Sequence, residues 1–191
     1  MRELRTALLM LIALTGVTGV AYPLVVTGIA QLSFPSQANG SLVMDGGAPR
    51  GSALIAQPFA DPRYFWSRPS ATSGFPNNAT ASSGSNLGPT SDALLEAVRA
   101  RVDALRAADP GNAAPIPVDL VTASASGLDP HLSPAAVHHQ AGRVARERGL
   151  EPAAVEALIR DHTEGRWLGV LGEPRVNVLL LNLALDRRAA R

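Results

Sequence analysis

Cysteine and lysine are both absent from this chain of 191 residues. The first absence excludes disulfides, thiolate nucleophiles and cysteine-ligated metals. The second excludes a phosphate-loop lysine and Schiff-base chemistry, since all 17 basic residues are arginine. An excess of either charge is missing too. With Arg2, Arg5 and Glu3 set aside, 15 arginines balance 15 acids, so no basic stripe points to nucleic acid. Aromatic residues are few, and a cluster of them lies between Phe59 and Trp66, where the rings are expected to anchor a core. Neither a Gly-x-Ser-x-Gly elbow nor a His-Glu-x-x-His pair occurs anywhere.

What is abundant is apolar sequence at the N-terminus. After Arg2 and Arg5 the chain runs from Thr6 to Gln31 without a charge, and none appears before Asp45. At about 1.5 Å per residue such a helix crosses a hydrocarbon core of about 30 Å even when tilted. Arg2, Arg5 and the amino terminus outweigh Glu3, so the positive-inside rule predicts a cytoplasmic N-terminus and an exported remainder. A cleaved signal is the competing reading, because Gly19-Val20-Ala21 has the small residues that signal peptidase prefers. The run continues through Leu24-Val25-Val26 and Ile29, longer than a signal core of roughly 7–15 residues. Both readings export the domain. Pro23 is expected to loosen the helix, and Gly16 and Gly19, with Thr15, form a small-residue face that a partner helix could approach closely.

Three regions follow: a cytoplasmic tip and transmembrane helix over 1–32, a linker over 33–50, and an extracytoplasmic domain over 51–191. The fold class is α+β, helix-rich with a small sheet. Gly51 to Gln57 and Ile116 to Thr122 read as short strands. The Ser/Gly/Asn/Thr-rich stretch from Ser70 to Pro89 reads as a long loop, either functional or disordered. Ser91 is expected to cap a helix bearing Leu94, Leu95, Val98, Val102 and Leu105 and ending near Asp109. Ser133-Pro134 predicts the start of a second helix and Gly149 its end. Pro152 opens a third, to about His162. Pro174 precedes a buried terminal helix through Leu185 that ends in Arg187 and Arg188, with a strand as the weaker alternative.

Several constellations carry polar chemistry. Ser124, Ser126, Asp129 and His131 put hydroxyl, carboxylate and imidazole within one short segment, which invites the reading of a membrane-anchored exported hydrolase. The plainer reading is a tight turn in which Asp129 bonds its neighbouring backbone and Pro130 leads to the next helix. His138 and His139 are adjacent on a helix and diverge by about 100°, so they cannot face one metal together. His162 is expected to end a helix. No metal site is predicted. Ser82-Ser83-Gly84-Ser85-Asn86 is small and polar enough for its amides to hold an anion, though a solvated linker has the same composition. Tyr64, Trp66 and Arg68 form an arginine-bearing aromatic segment suited to a protein interface.

Taken together, ordered blocks resemble the C subunit of the bacterial Kdp potassium-transporting P-type ATPase. They are Tyr22-Pro23-Leu24, Phe65-Trp66-Ser67-Arg68-Pro69-Ser70, Gly84 to Thr90, Val118 to Ser124, Gly127-Leu128-Asp129-Pro130-His131, His162 to Arg166 and Gly172 to Val178. The resemblance implies a non-catalytic accessory subunit of the bacterial cell membrane, partnered by a potassium-translocating subunit and an ATP-hydrolysing subunit. It implies a catalytic chaperone that raises the hydrolytic subunit's affinity for ATP, with nucleotide contact through a Ser-Gly-Gly-Ser-like loop. Here that loop is Ser82, Ser83, Gly84, Ser85 and Asn86, with Ser83 in place of a glycine. No cofactor of the chain's own is implied, ATP and potassium being handled by the complex. The chain has neither the Asp-Lys-Thr-Gly-Thr motif of P-type pumps nor a Thr-Val-Gly-Tyr-Gly filter. ATP is cytoplasmic, so an exported Ser82–Asn86 loop cannot touch it in the assembled complex. The reading that results puts the domain over the extracellular mouth of the potassium-binding subunit. A general scaffold without a transport role is the third class of function.

Overall fold

The computed structural model describes residues 1–189, in two compact units, the first Met1–Arg50 and the second from Gly51 onward. In the first unit one continuous helix covers Arg2–Ser33, with a mean hydropathy of 2.0 and no buried residue. It is long and apolar enough to cross a membrane, and it fits a membrane anchor. It is built in three parts: α1 (Arg2–Leu14), a π-helical stretch (Thr15–Ala21) and α2 (Tyr22–Ser33). The π stretch ends where the Tyr22 amide donates to Val17 O, one residue before Pro23. A proline at that point lacks an amide and would press its ring on the carbonyl four residues back, and the wider helix turns that strain into an altered bonding register. Thr18 Oγ1 donates to Leu14 O at 2.7 Å, so its hydroxyl is satisfied inside the helix. The linker is more structured than its composition implies: α3 (Pro35–Ala38) is followed by β1 (Leu42–Asp45) and β2 (Ala48–Ser52), which pair.

In the second unit, α4 (Asp92–Ala108), α5 (Pro134–Arg148), α6 (Pro152–Asp161) and α7 (Val178–Ala189) accompany a three-stranded antiparallel sheet. Its strands are β3 (His131–Leu132), β4 (Thr163–Glu164) and β5 (Arg175–Asn177), in the order β3-β5-β4. The register pairs Leu132 with Val176 on one side and Thr163 with Val176 on the other. The mixed, helix-rich α+β architecture expected from the sequence is therefore present. The core joins Phe65, Leu132, Val137, Val144, Val155, Ile159, Val176, Leu181 and Leu185. Capping explains the best-defined helix: Ser133 accepts from the Ala136 amide at 3.1 Å, Pro134 fills the first turn, and Gly149 closes α5 in the left-handed region at φ 61°.

Three expectations for local structure are corrected. The strand near Gly51 lies earlier, at Ala48–Ser52, and the chain turns at Ala53 and Leu54, where the Leu54 amide donates to Ser52 Oγ at 3.1 Å. Residues Ile116 to Thr122 form no strand. Val118–Leu120 is a 3-10 turn, held by Thr122 Oγ1 donating to Val118 O and by Asp119 accepting the Ser133 amide. The terminal helix starts later than Pro174, because Arg175–Asn177 is the central strand of the sheet. Asn177 ends that strand and caps α7 by accepting the Leu180 amide at 3.2 Å. Ser91 occupies the N-cap position of α4 as expected, but its side chain makes no capping bond, and Leu95 is exposed.

Candidate functional site

The aromatic segment from Asp61 to Arg68 is irregular backbone, so its peptide groups need partners from elsewhere. Two buried amide side chains supply them. Asn182 on α7 accepts the Phe65 amide at 2.9 Å and donates to Phe65 O at 3.0 Å. Gln140 on α5 does the same for the next residue, accepting the Trp66 amide at 2.9 Å and donating to Trp66 O at 3.2 Å. Each amide thus imitates one link of a β-ladder. The second donor of Gln140 reaches Ala136 O, and its oxygen also accepts from Arg143, so the group is fully satisfied. Arg143, buried on α5, donates to Pro62 O and Tyr64 O and lies 4.7 Å from the Trp66 ring centroid. Burial pushes its pKa down, and Asp109 and Glu147 act against that. Arg148 adds a further hold, on Arg63 O and on Asp186, and covers the Tyr64 ring at 4.6 Å. Tyr64 in turn donates to Asp186 at 3.1 Å.

Tyr64, Trp66 and Arg68, expected to face a partner, are thus engaged inside their own domain. Trp66 Nε1 donates to Asp61 O at 3.1 Å, and Arg68 donates to Asp129 Oδ2 at 3.0 Å. Sequence reasoning missed the residues that do the holding: Gln140, Arg143, Asn182 and Asp186. The available signal was a polar residue in an apolar register, Gln140 between Val137, Ala141 and Val144, and Asn182 between Val178, Leu181 and Leu185.

Residues 70–86 are ordered chiefly by their own hydroxyls and amides. Ser70 Oγ donates to Gly127 O at 2.8 Å and accepts the Asn77 amide at 2.9 Å, while Asn77 Nδ2 reaches the same Gly127 carbonyl. The candidate anion loop lies along residues 124–127. The Ser83 amide donates to Ser126 O at 3.1 Å, and Ser82 Oγ donates to that oxygen at 3.0 Å. A side chain at Gly84 would stand 2.8 Å from Ala125 O, and one at Gly127 (φ +68°) would meet Thr72 and Ser83. These two glycines permit the close approach of the strands of the loop. One of the loop's amides is therefore committed to protein, while Ser85 and Asn86 are presented to solvent.

The hydroxyl–carboxylate–imidazole segment is a turn. Ser124 Oγ is buried and makes no hydrogen bond, and Ser126 Oγ accepts the Leu128 amide. Neither hydroxyl is paired to His131. Asp129 accepts the His131 amide at 3.0 Å, His131 Nδ1 lies 3.4 Å from the same oxygen, and Arg68 holds the other oxygen. Burial raises the Asp129 pKa, but the bonds from His131 and Arg68 outweigh it and hold the carboxyl at about 2. Arg68, Asp129 and His131 line an open cleft with Asp119, Glu173 and Arg175. The two adjacent histidines diverge: His138 pairs with Glu156 at 2.9 Å, and burial lowers the pKa of His139. His162 Nδ1 lies 2.9 Å from Leu158 O at the end of α6. Among the described residues no group of three or more His, Asp and Glu side chains is placed to hold a metal.

On the N-terminal helix, Gly16, Gly19 and Pro23 lie in or beside the π stretch. A side chain at Gly16 would meet nothing, and one at Gly19 would make ordinary contact with Thr15 at 3.7 Å. The helix itself does not demand glycine at either place, and the two leave its surface low there.

The family model described as KdpC, the c chain of K+-transporting ATPase, matches residues 4–187. The potassium-transporting ATPase KdpC subunit of Sorangium cellulosum is 67% identical over 184 residues, covering 96% of this chain and 97% of that protein. The KdpC subunit of Methylibium petroleiphilum is 64% identical over 185 residues, with 97% of each covered. That of Polaromonas naphthalenivorans is 66% identical over 183 residues, covering 96% of this chain and 93% of its own length.

Proposed function

The chain belongs to the KdpC family of K+-transporting ATPase subunits, and from that premise we propose that it is a non-catalytic accessory subunit of a high-affinity, ATP-driven potassium uptake complex. Its partners in this reading are a potassium-translocating subunit and an ATP-hydrolysing subunit. The helix Arg2–Ser33 is a single-pass anchor with a cytoplasmic N-terminus. The domain from residue 51 onward stands outside the cell membrane, stabilises the assembly and supports ATP binding or ion access by the partners. Its anchor meets a partner helix on the Gly16, Gly19 and Pro23 side, where small side chains allow close approach.

The observation that carries this reading is how the buried polar side chains of the domain are used. Gln140, Arg143 and Asn182 all hold backbone of the domain itself, and the buried Ser124 hydroxyl has no base. Such a domain is built to present a fixed surface rather than to turn over a substrate. With ATP in the cytoplasm and Ser82–Asn86 outside, support of nucleotide binding passes through the partners instead of through direct contact.

The test is co-purification in mild detergent, followed by potassium-stimulated ATP hydrolysis with and without this chain. Loss of stimulation when the chain is left out, with no hydrolysis by the chain alone, is the expected result. Unchanged hydrolysis overturns the accessory role. The orientation is tested by Ser82→Cys, the sole thiol of the chain. An impermeant maleimide is expected to label it on intact cells stripped of any outer barrier, and labelling only after the cell membrane is breached overturns the topology.

A further inference from the structure

We infer that residues Trp167 to Leu171, the tip of the excursion between β4 and β5, form a preshaped plug that seats in an apolar, uncharged socket on another subunit of the K+-transporting ATPase. The inference rests on the accessory-subunit reading above and adds where the chain grips its complex. Four large apolar side chains project here within five residues: Trp167 is 69% exposed, Leu168 74%, Val170 72% and Leu171 54%. A soluble surface carries such side chains singly, and a contiguous cluster marks a place that something else covers. The N-terminal helix is also apolar and exposed, but a bilayer accounts for it. The tip is a turn of the second unit, outside that helix, and needs a cover of its own.

The backbone of the tip is fixed as well as bare. The Trp167 amide donates to Leu171 O at 2.8 Å and the Leu171 amide returns to Trp167 O at 3.0 Å, closing a small bridge. The Gly169 amide donates to Arg166 O at 3.1 Å. Between these bonds Leu168 is held at φ +52° and Gly169 at φ +76°. A leucine in the left-handed region is strained and gains nothing from this domain by being there, since its side chain stays in solvent. Shape is therefore preserved at a cost in stability.

Shape and charge together favour a protein socket over lipid. A fluid bilayer rewards buried area and not a particular turn, whereas a packed socket rewards a rigid aromatic anchor fixed in advance. The cations at the base of the tip are neutralised within the hairpin: Arg166 donates to both carboxylate oxygens of Glu173, at 3.0 and 2.8 Å, and Arg175 pairs with Glu164 at 2.9 Å. No charge lies between Trp167 and Gly172. Peripheral membrane segments use unpaired basic residues to reach anionic headgroups, and this tip keeps none for that purpose. Its complement is a concave, apolar, uncharged surface.

The test places a thiol in the plug with Val170→Cys and, for reference, at the exposed α4 position with Ala100→Cys, each in the full chain, which has no native cysteine. Maleimide labelling rates are compared for the chain alone in phospholipid vesicles and for the chain purified with its partner subunits in mild detergent. The ratio of the two positions cancels orientation in the vesicles. The plug predicts a ratio near unity for the chain alone and a drop of about tenfold or more in the complex. Protection already present in vesicles means the bilayer covers the tip and overturns the socket. An unprotected Val170→Cys in an intact complex overturns it too. Should the unsubstituted chain fail to co-purify with any ATPase subunit, the accessory reading falls and the plug with it, a distinct result. Trp167→Ala is expected to weaken retention of the chain in the complex by roughly thirtyfold, as for a central aromatic anchor.

Discussion

The two tryptophans of the chain occupy opposite environments. Trp66 has its indole nitrogen bonded, its ring under Arg143 and both its peptide groups held by Gln140. Trp167 stands on a tight turn with most of its surface in solvent. Local sequence points the other way. Trp66 sits between Tyr64 and Arg68, the composition of an interface, and turns inward; Trp167 sits among glycines, leucines and a valine, the composition of a core turn, and turns outward. The difference is set by residues more than 70 positions away, Gln140 being 74 from Trp66 and Asn182 117 from Phe65. Aromatic content alone therefore does not identify a docking surface. What separates the two is whether the ring packs in its own domain: Trp66 lies against the core, whereas Trp167 is exposed although its backbone is bonded within the turn.

The contrast can be broken most sharply at Gln140. Gln140→Ala removes the partners of the Trp66 amide and carbonyl and one partner of Arg143. Buried groups left unpaired in this way cost about 2–4 kcal/mol in total, measured as a lower unfolding midpoint of the full chain in mild detergent. Trp66 fluorescence should redshift as the ring loosens, and an unchanged midpoint would show that the amide ladder does not hold the segment.

A smaller effect is confined to acid. Asp129 has a folded pKa of about 2 against an ordinary 3.8, so its bonds contribute stability that is complete above the unfolded value and lost as pH falls through the folded one. Stability of the wild-type chain should decline between about pH 4 and pH 2, and Asp129→Asn should remove that part of the decline. An identical acid profile in the variant would assign the decline to other carboxylates, Asp61 first, whose pKa the Arg63 side chain also holds at about 2.

The smallest effect is expected at the other tryptophan. Trp167→Ala should leave the unfolding free energy of the isolated chain within about 0.5 kcal/mol of wild type, because most of the side chain already lies in solvent. A large loss there would mean that Trp167 serves its own fold, and the two tryptophans would cease to differ in kind.

Much of the helical framework was legible from local chemistry. Ser133, Pro134 and Gly149 delimit α5, Pro152 opens α6, and the charge-free run after Arg5 marks the helix that fits a membrane anchor. Short strands were not legible. Arg175–Asn177 is a strand because β3 and β4 flank it, a fact of pairing and not of propensity. Ile116 to Thr122 has a strand's composition, yet the Thr122 and Asp119 side chains draw its backbone into a turn. Of the candidate site residues, Ser82 to Asn86 could be located as a polar loop, but its close apposition to residues 124–127 depends on Gly84 and Gly127 meeting across the fold. The clamp around Phe65 and Trp66 was the least legible feature, since a glutamine or asparagine on a helix normally reads as solvated.

The pairing of Asn182 with Phe65 also sets a clock. A segment cannot be held by a residue that has not yet been made, and 117 positions separate these two. At about 5–20 residues per second, synthesis leaves Phe65 waiting roughly 6–23 s for its partner. The aromatic segment therefore stays unsecured at Phe65 until Asn182 has been made, and whatever handles the nascent chain in that interval meets it open.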